Sequence, residues 1–213
     1  MADPTEVQIP LGDVTLPGDL TVPDDPAGLV VFAHGSGSSR KSPRNQFVAE
    51  TLVERGLATL LFDLLTAEED QRREARFDVD RLTDRLVAAA EWTESRADVG
   101  GLPIGFFGSS TGAAAAVRGA AALPERVRAV VSRGGRVDMA DDAFGDVSAP
   151  TLMIVGGEDT QVLAWNRDAA DRMACETEVT VVEGAGHLFE GEGELEAVAG
   201  HAGDWFAEYL SPD

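Results

Sequence analysis

The sequence predicts a doubly wound α/β fold, in which a mostly parallel sheet has helices on both faces and antiparallel strands at its N-terminal side. Short apolar segments alternate with amphipathic segments along most of the 213 residues. Two apolar segments, LATLLF at 57–62 and TLMIV at 151–155, are almost uninterrupted, as in parallel strands covered on both faces. The opening segment at 6–23 alternates instead and contains the turn sequences LGD and PGD, which predicts an antiparallel pair at a sheet edge.

The elements of the parallel part follow in a regular order. Strands are predicted at 29–33, 57–62, 103–108, 127–132, 150–155 and 178–182. Helices are predicted at 43–55, 79–96, 111–122, 164–174 and 194–210. The longest irregular segment near the strand ends, residues 64–77, has room only for a small cap. We therefore expect one domain over residues 1–213 with no large lid.

The composition excludes several classes of function. Acidic residues outnumber basic ones by 38 to 17, and the net charge of −21 repels nucleic acid and anionic membranes. Because concentrated salt screens such a charge, we expect a salt-tolerant or halophilic source. The single cysteine, Cys175, excludes an internal disulfide and four-cysteine zinc sites. The N-terminus has no secretion signal and no apolar run approaches ~18 residues, so we expect a cytoplasmic protein.

Reactive side chains follow the predicted strands, at the edge where α/β sheets bind ligands. The sequence GSSTG at 108–112 matches the G-x-S-x-G nucleophile elbow and lies between a predicted strand and a predicted helix. An elbow places its nucleophile on a sharp turn, where side chains at the two glycine positions would collide with the neighbouring strand and helix. The pentapeptide alone is equally compatible with an ordinary turn. Its serine, Ser110, is the candidate nucleophile.

The candidate base is His187, in the turn EGAGHLF after the last predicted strand. A serine hydroxyl needs a base that takes its proton during attack, and the base needs a carboxylate that orients it and stabilises its cation. Glu158 and Asp159 follow the preceding strand and come between Ser110 and His187, in the order nucleophile, acid, base. Asp138, which follows an earlier strand, is a further candidate for the acid.

The loop HGSGSSRKS at 34–42 has two interpretations. It matches the P-loop G-x-x-x-x-G-K-[ST] except that Arg40 replaces the last glycine, and Asp63 after the next strand would then bind the magnesium of a nucleotide hydrolase or kinase. In the second interpretation the backbone N–H groups of Ser36 and Thr111 form an oxyanion hole. We favour the second interpretation, because the first leaves the candidate nucleophile, acid and base unexplained.

With HGSGSS, GSSTG, GGEDT and GAGHLF in this order, the chain resembles the α/β-hydrolase superfamily over essentially its whole length. Its small form is similar to the branch related to dienelactone hydrolases, and VVSRGGRVDMA is similar to a stretch of hydrolases sometimes fused to phosphoribosyltransferase domains. The resemblance implies the α/β-hydrolase fold and the catalytic triad Ser110, Asp159 and His187, because the acid of the family follows a Gly-Gly-x sequence.

Dienelactone hydrolases proper use a cysteine nucleophile, whereas position 110 is serine. The resemblance therefore implies a more general serine hydrolase that cleaves small carboxylic esters, lactones or thioesters through an acyl-enzyme. We expect no cofactor and no metal. A non-catalytic α/β-hydrolase scaffold that binds a ligand remains an alternative, as does the nucleotide hydrolase.

Three arginines lie close to the expected site: Arg40, Arg133 and Arg136. They form ion pairs within an acidic protein in one interpretation, and bind a carboxylate or phosphate of the substrate in the other. The expected partner is a small-molecule ester, which carries an anionic group in the second case, and the expected state is a monomer or a homodimer.

Overall fold

The computed structural model describes residues 2–211 and contains an eight-stranded sheet with the order β1-β2-β4-β3-β5-β6-β7-β8. β1 pairs antiparallel with β2, β2 pairs antiparallel with β4, and all other neighbours are parallel. The predicted fold class is therefore confirmed. The strands are β1 (Thr5–Leu11), β2 (Val14–Thr21), β3 (Leu29–Ala33), β4 (Ala58–Phe62), β5 (Ile104–Ser109), β6 (Val127–Arg133), β7 (Thr151–Gly156) and β8 (Thr177–Val182).

Helices cover both faces of the sheet. They are α1 (Pro43–Glu54), α2 (Arg73–Arg76), α3 (Val79–Glu94), α4 (Thr111–Ala122), α5 (Thr160–Arg172) and α6 (Glu194–Leu210), with 3-10 turns at Glu69–Gln71 and Val137–Ala143. The apolar faces of α3 and α4 pack on one side of the sheet, and those of α1 and α6 pack on the other. Among residues 2–211, no helix combines the length and the apolar character needed to cross a membrane.

The strands β3, β4, β5 and β7 are buried at every residue because both of their faces are covered. In β5, for example, Phe106 packs in the cluster beneath α3 and α4, whereas its neighbour Phe107 packs beneath α1 and α6. Successive side chains of a strand point to opposite faces, so a strand between two helical layers must be apolar throughout. This explains the uninterrupted apolar segments in the sequence.

The structure differs from the predicted elements chiefly at α5, which begins at Thr160 rather than at 164. The helix begins with the polar residues Thr160 and Gln161, and its apolar positions begin at Val162 and Leu163. Hydrophobic periodicity therefore missed the first turn of α5, which directly follows the candidate acid. The segment 64–77 forms a small cap of one 3-10 turn and the short α2, in which Glu69 makes two hydrogen bonds to the guanidinium of Arg85 on α3.

Candidate active site

Ser110 lies on a strained turn between β5 and α4. Its φ of 51° and ψ of −120° are unusual for a residue with a side chain, and such strain is found where the surrounding structure enforces it. A Cβ atom at Gly108 would lie 2.4 Å from Cα of Ala113, and one at Gly112 would lie 2.1 Å from the carbonyl oxygen of Ala33. The turn therefore has no room for a side chain at either glycine, which is the steric reason that the elbow motif predicts.

His187 and Asp159 are joined by a short hydrogen bond, with 2.6 Å between Nδ1 and Oδ2. An ionised carboxylate can only accept, so Nδ1 of His187 carries the hydrogen and Nε2 is left with a free electron pair. Asp159 precedes α5, yet its side chain makes no capping hydrogen bond to that helix. The two alternative acids have other surroundings. Glu158 is exposed to solvent, and the carboxylate of Asp138 accepts two hydrogen bonds from the guanidinium of Arg136.

The turn at Arg133 and Gly134 contacts both Ser110 and His187. The carbonyl of the preceding residue, Arg133, accepts a hydrogen bond from the backbone N–H of Ser110 at 3.2 Å. A Cβ atom at Gly134 would lie 3.4 Å from both Nδ1 and Cε1 of His187, so the imidazole lies against this glycine. In the described part of the chain no hydrogen bond joins the Ser110 hydroxyl to the imidazole, and such bonds are often loose without substrate.

The loop after β3 lies against the elbow. A Cβ atom at Gly35 would be 3.1 Å from Cβ of Ser110. The backbone N–H of Ser36 donates to Oγ1 of Thr111 at 2.9 Å. The two residues whose N–H groups are the predicted oxyanion donors are therefore hydrogen-bonded to each other. His34 anchors the loop: its Nε2 accepts from the N–H of Leu64, and burial lowers its pKa, which keeps it neutral.

The residues specific to the P-loop interpretation are already engaged within the protein. Arg40 binds the carboxylate of Asp63 through its backbone N–H at 2.8 Å and its guanidinium at 2.6 Å. Lys41 points to Asp19 on β2, with which it forms an ion pair at 2.7 Å. The loop therefore lends no support to a phosphate site built on Lys41 and Asp63.

The three candidate substrate-binding arginines have different surroundings. Arg40 contacts Asp63 as described, and Arg136 pairs with Asp138 while its guanidinium stacks 4.4 Å from the ring centre of Trp165. Arg133 differs from both because it is buried and, in the described part of the chain, its side-chain partner is the neutral Asn45. The ion-pair interpretation thus accounts for two of the three.

Comparison with known proteins identifies the family. A model described as an alpha/beta hydrolase domain matches residues 26–199. The chain belongs to the alpha/beta hydrolase family. The crystal structure of a dienelactone hydrolase from Anabaena variabilis is 50% identical, with a TM-score of 0.94 over 98% of this chain and 99% of that one. Est1E from Butyrivibrio proteoclasticus has a TM-score of 0.83 at 16% identity, over 96% of this chain and 98% of that one, which shows the shared fold alone.

Two relatives come from Mycobacterium tuberculosis and are provisionally named phosphoribosyl transferases. Each is 54% identical over 205 residues, which cover 96% of this chain. The chain spans only 46% of the length of these relatives.

Several residues that shape this hydrolase site were not found from the sequence. Gly134 supports the imidazole, and Asn166 of α5 holds the same turn by donating to the carbonyl of Gly135 at 2.8 Å. A Cβ atom at Gly135 would lie 1.9 Å from Oγ of Ser132. The paired glycines directly after a predicted strand were the available signal, because they repeat the pattern of the elbow.

Proposed function

We propose that this hydrolase cleaves small carboxylic esters, lactones or thioesters through an acyl-enzyme formed on Ser110. The observation that carries the proposal is the hydrogen bond between His187 and Asp159, formed where the imidazole lies against the turn next to the strained serine. In this proposal, three chemically matched groups from three different loops act together at one sheet edge, as nucleophilic catalysis requires.

The proposed reaction follows from the proton positions. Nε2 of His187 takes the proton of Ser110 as Oγ attacks the carbonyl carbon, and Asp159 stabilises the imidazolium that forms. The imidazolium then gives the proton to the leaving alkoxide or thiolate as the bond to the acyl carbon breaks. A water molecule, deprotonated by the same nitrogen, attacks the acyl-enzyme, and Ser110 leaves with its proton restored.

The N–H groups of Ser36 and Thr111 are proposed to stabilise the oxyanion of the tetrahedral intermediate. Thr111 is the first residue of α4, so the helix provides no carbonyl for its N–H. The N–H of Ser36 must turn from the Thr111 hydroxyl, or be shared with it, when the oxyanion forms. Ser36→Pro, which removes that N–H, should lower kcat by about 10²- to 10³-fold, whereas Ser36→Ala should have a small effect.

An open site favours small acyl groups. His187 is exposed, Ser110 is half-buried, and the cap at 64–77 is short. Long-chain lipids would need a broader apolar lid over the nucleophile. The large apolar side chains that are exposed in the described residues, Phe77 and Leu188, belong to this cap and to the histidine turn.

Covalent labelling tests the proposal. A fluorophosphonate probe should label the protein and its Ser95→Ala control, which changes an exposed serine, but not Ser110→Ala. The labelled wild-type protein should also lose activity on 4-nitrophenyl butyrate. Absence of labelling together with magnesium-dependent phosphate release from nucleotides would favour the nucleotide hydrolase, and absence of both activities would favour the ligand-binding scaffold. The names of the mycobacterial relatives do not make phosphoribosyl transfer a candidate function of this chain. The chain matches a hydrolase-domain model and spans less than half of the length of those relatives.

A further inference from the structure

Arg133, the last residue of β6, has an unusual environment for a cation. Only 9% of its surface is exposed, and its Nη2 donates to the amide oxygen of Asn45 on α1 at 3.3 Å. Its Nη1 is fully buried and has no hydrogen-bond partner among the described residues. A buried charge is costly unless an opposite charge and hydrogen bonds compensate for it. Within residues 2–211, Arg133 thus has one side-chain hydrogen-bond partner, which is weak and neutral.

The other arginines show that this arrangement is exceptional. In a chain of net charge −21, most of them form ion pairs with aspartate or glutamate. Within residues 2–211, the arginines other than Arg133 that form no such pair are all exposed: Arg72, Arg73, Arg128 and Arg167. Carboxylates are abundant here, so the absence of one beside the buried guanidinium calls for an anion from outside the chain.

A second cation increases the demand for an anion. Burial, together with the positive charge of Arg44, lowers the pKa of Arg133 to about 10. Arg44 in turn forms a loose ion pair with Glu190, at 3.7 Å between Nη1 and Oε1, and the Glu190 side chain is exposed. Glu190 belongs to the same turn as His187. The carboxylate that pairs with Arg44 is therefore held weakly, at the surface, three residues after the candidate base in the chain.

We propose that Arg133, Arg44 and Asn45 form a subsite for an anionic group of the ester substrate, either a carboxylate or a phosphate, and that Glu190 competes with this group for Arg44. The inference rests on the proposed function, since it assigns the substrate class of the same site. The backbone around Arg133 already borders both reactive residues: its carbonyl binds the N–H of Ser110, and Gly134 contacts His187. The proposed substrate is therefore one in which a short chain joins the anionic group to the scissile carbonyl.

The subsite must open before it binds. Nη1 of Arg133 has no contact with solvent, so the side chains around it must move before an anion reaches it. In the proposed subsite, breaking the pair between Arg44 and Glu190 is part of that movement. Removing the charge of Glu190 should therefore favour anionic substrates, whereas removing the charge of either arginine should disfavour them.

Two esters with the same acyl length test this directly. 4-Nitrophenyl hemisuccinate and 4-nitrophenyl butyrate differ in a terminal carboxylate, and the ratio of their kcat/KM values, at constant ionic strength, isolates its contribution. Arg133→Gln should lower the ratio about 10- to 100-fold, the range for hydrogen bonds to charged groups. Glu190→Gln should raise the ratio, and Arg44→Gln should lower it, each by about two- to fivefold. The matched control is Arg128→Gln, an exposed position on β6, which should leave the ratio within twofold.

The outcomes separate this inference from the proposed function. Ratios within twofold of wild type in both Arg44→Gln and Glu190→Gln would overturn the subsite, even if Arg133→Gln fails to fold. If neither ester is hydrolysed and Ser110 is not labelled, the proposed function fails, and calorimetric titration of succinate and inorganic phosphate into the wild-type protein tests the subsite alone. Binding that Arg44→Gln weakens and Glu190→Gln strengthens would support it, and the tighter anion would identify the group. Absence of binding of both anions would refute it.

Discussion

Replacing Asp159 with asparagine tests the proposed catalytic assembly most sharply. The substitution keeps the size of the side chain and removes the charge that would stabilise the imidazolium. Asparagine can also donate to Nδ1 and so favour the wrong tautomer of His187, with the hydrogen on Nε2. We expect kcat/KM for small esters to fall, while the free energy of unfolding changes little, because the Asp159 side chain makes no capping hydrogen bond to α5.

The magnitude follows from the geometry. The hydrogen bond is 2.6 Å long, and charge centres about 4 Å apart attract by about 4 kcal/mol at an effective dielectric of ~20 and by ~1 kcal/mol in water. The His187 side chain is 41% exposed and that of Asp159 is 16% exposed, so the value lies between these limits, at about 2–3 kcal/mol. That corresponds to a loss of about 30- to 150-fold, and the tautomer effect increases it towards ~10⁴-fold.

The assay is steady-state hydrolysis of 4-nitrophenyl butyrate, with thermal unfolding measured in parallel. Glu158→Gln is the matched control, since it removes a neighbouring carboxylate that is exposed, and it should retain activity within twofold. The assignment of the acid would be refuted if Asp159→Asn retained activity within threefold, or if Glu158→Gln lost as much activity as Asp159→Asn.

Three further predictions concern stability. Gly112→Ala should destabilise the protein by more than about 3 kcal/mol, because its Cβ would lie 2.1 Å from the backbone oxygen of Ala33. Gly200→Ala in α6 should instead stabilise the protein by up to ~1 kcal/mol, because no atom lies within 4 Å of the added Cβ. Urea unfolding of both variants measures these changes in the free energy of unfolding. The melting temperature should rise between 0.1 M and 2 M NaCl, because salt screens the net charge of −21, and indifference to salt would count against a halophilic source. The hydrogen bonds from Arg85 lower the pKa of Glu69 from 4.5 to about 2, so their contribution to stability is present above pH 4.5 and is lost as the pH falls towards 2. Glu69→Gln should therefore flatten the dependence of melting temperature on pH between pH 4.5 and 2. An unchanged slope would contradict the assignment.

Most of the fold could be predicted from local patterns. The β3 strand at 29–33 and the helices at 111–122 and 194–210 have the predicted bounds, and the antiparallel pair lies at the sheet edge as expected. Periodicity works there because each element buries a continuous apolar face. It failed at the start of α5, where the polar residues Thr160 and Gln161 follow Asp159 and give no apolar position.

The candidate site was predictable in part. Its reactive residues stand in motifs with their own steric logic, so Ser110 and His187 could be located from glycine patterns at strand ends. Selecting Asp159 over Glu158 needed the resemblance, since adjacent carboxylates look alike in a sequence. The partners of the arginines could not be predicted, because they come from distant parts of the chain. Arg40 contacts Asp63, which follows β4, and Arg133 of β6 contacts Asn45 of α1.

The sequence by itself determined the layered α/β sheet, the strained elbow and the chain order of the candidate nucleophile, acid and base. These features depend on backbone sterics and on burial within single elements, which neighbouring residues encode. Only the tertiary structure decided which carboxylate meets the imidazole, which N–H the Thr111 hydroxyl accepts from, and which buried arginine has no counter-charge among the described residues. Those outcomes depend on distances between side chains far apart in the chain, and such distances are set only when the sheet and its two helical layers pack together.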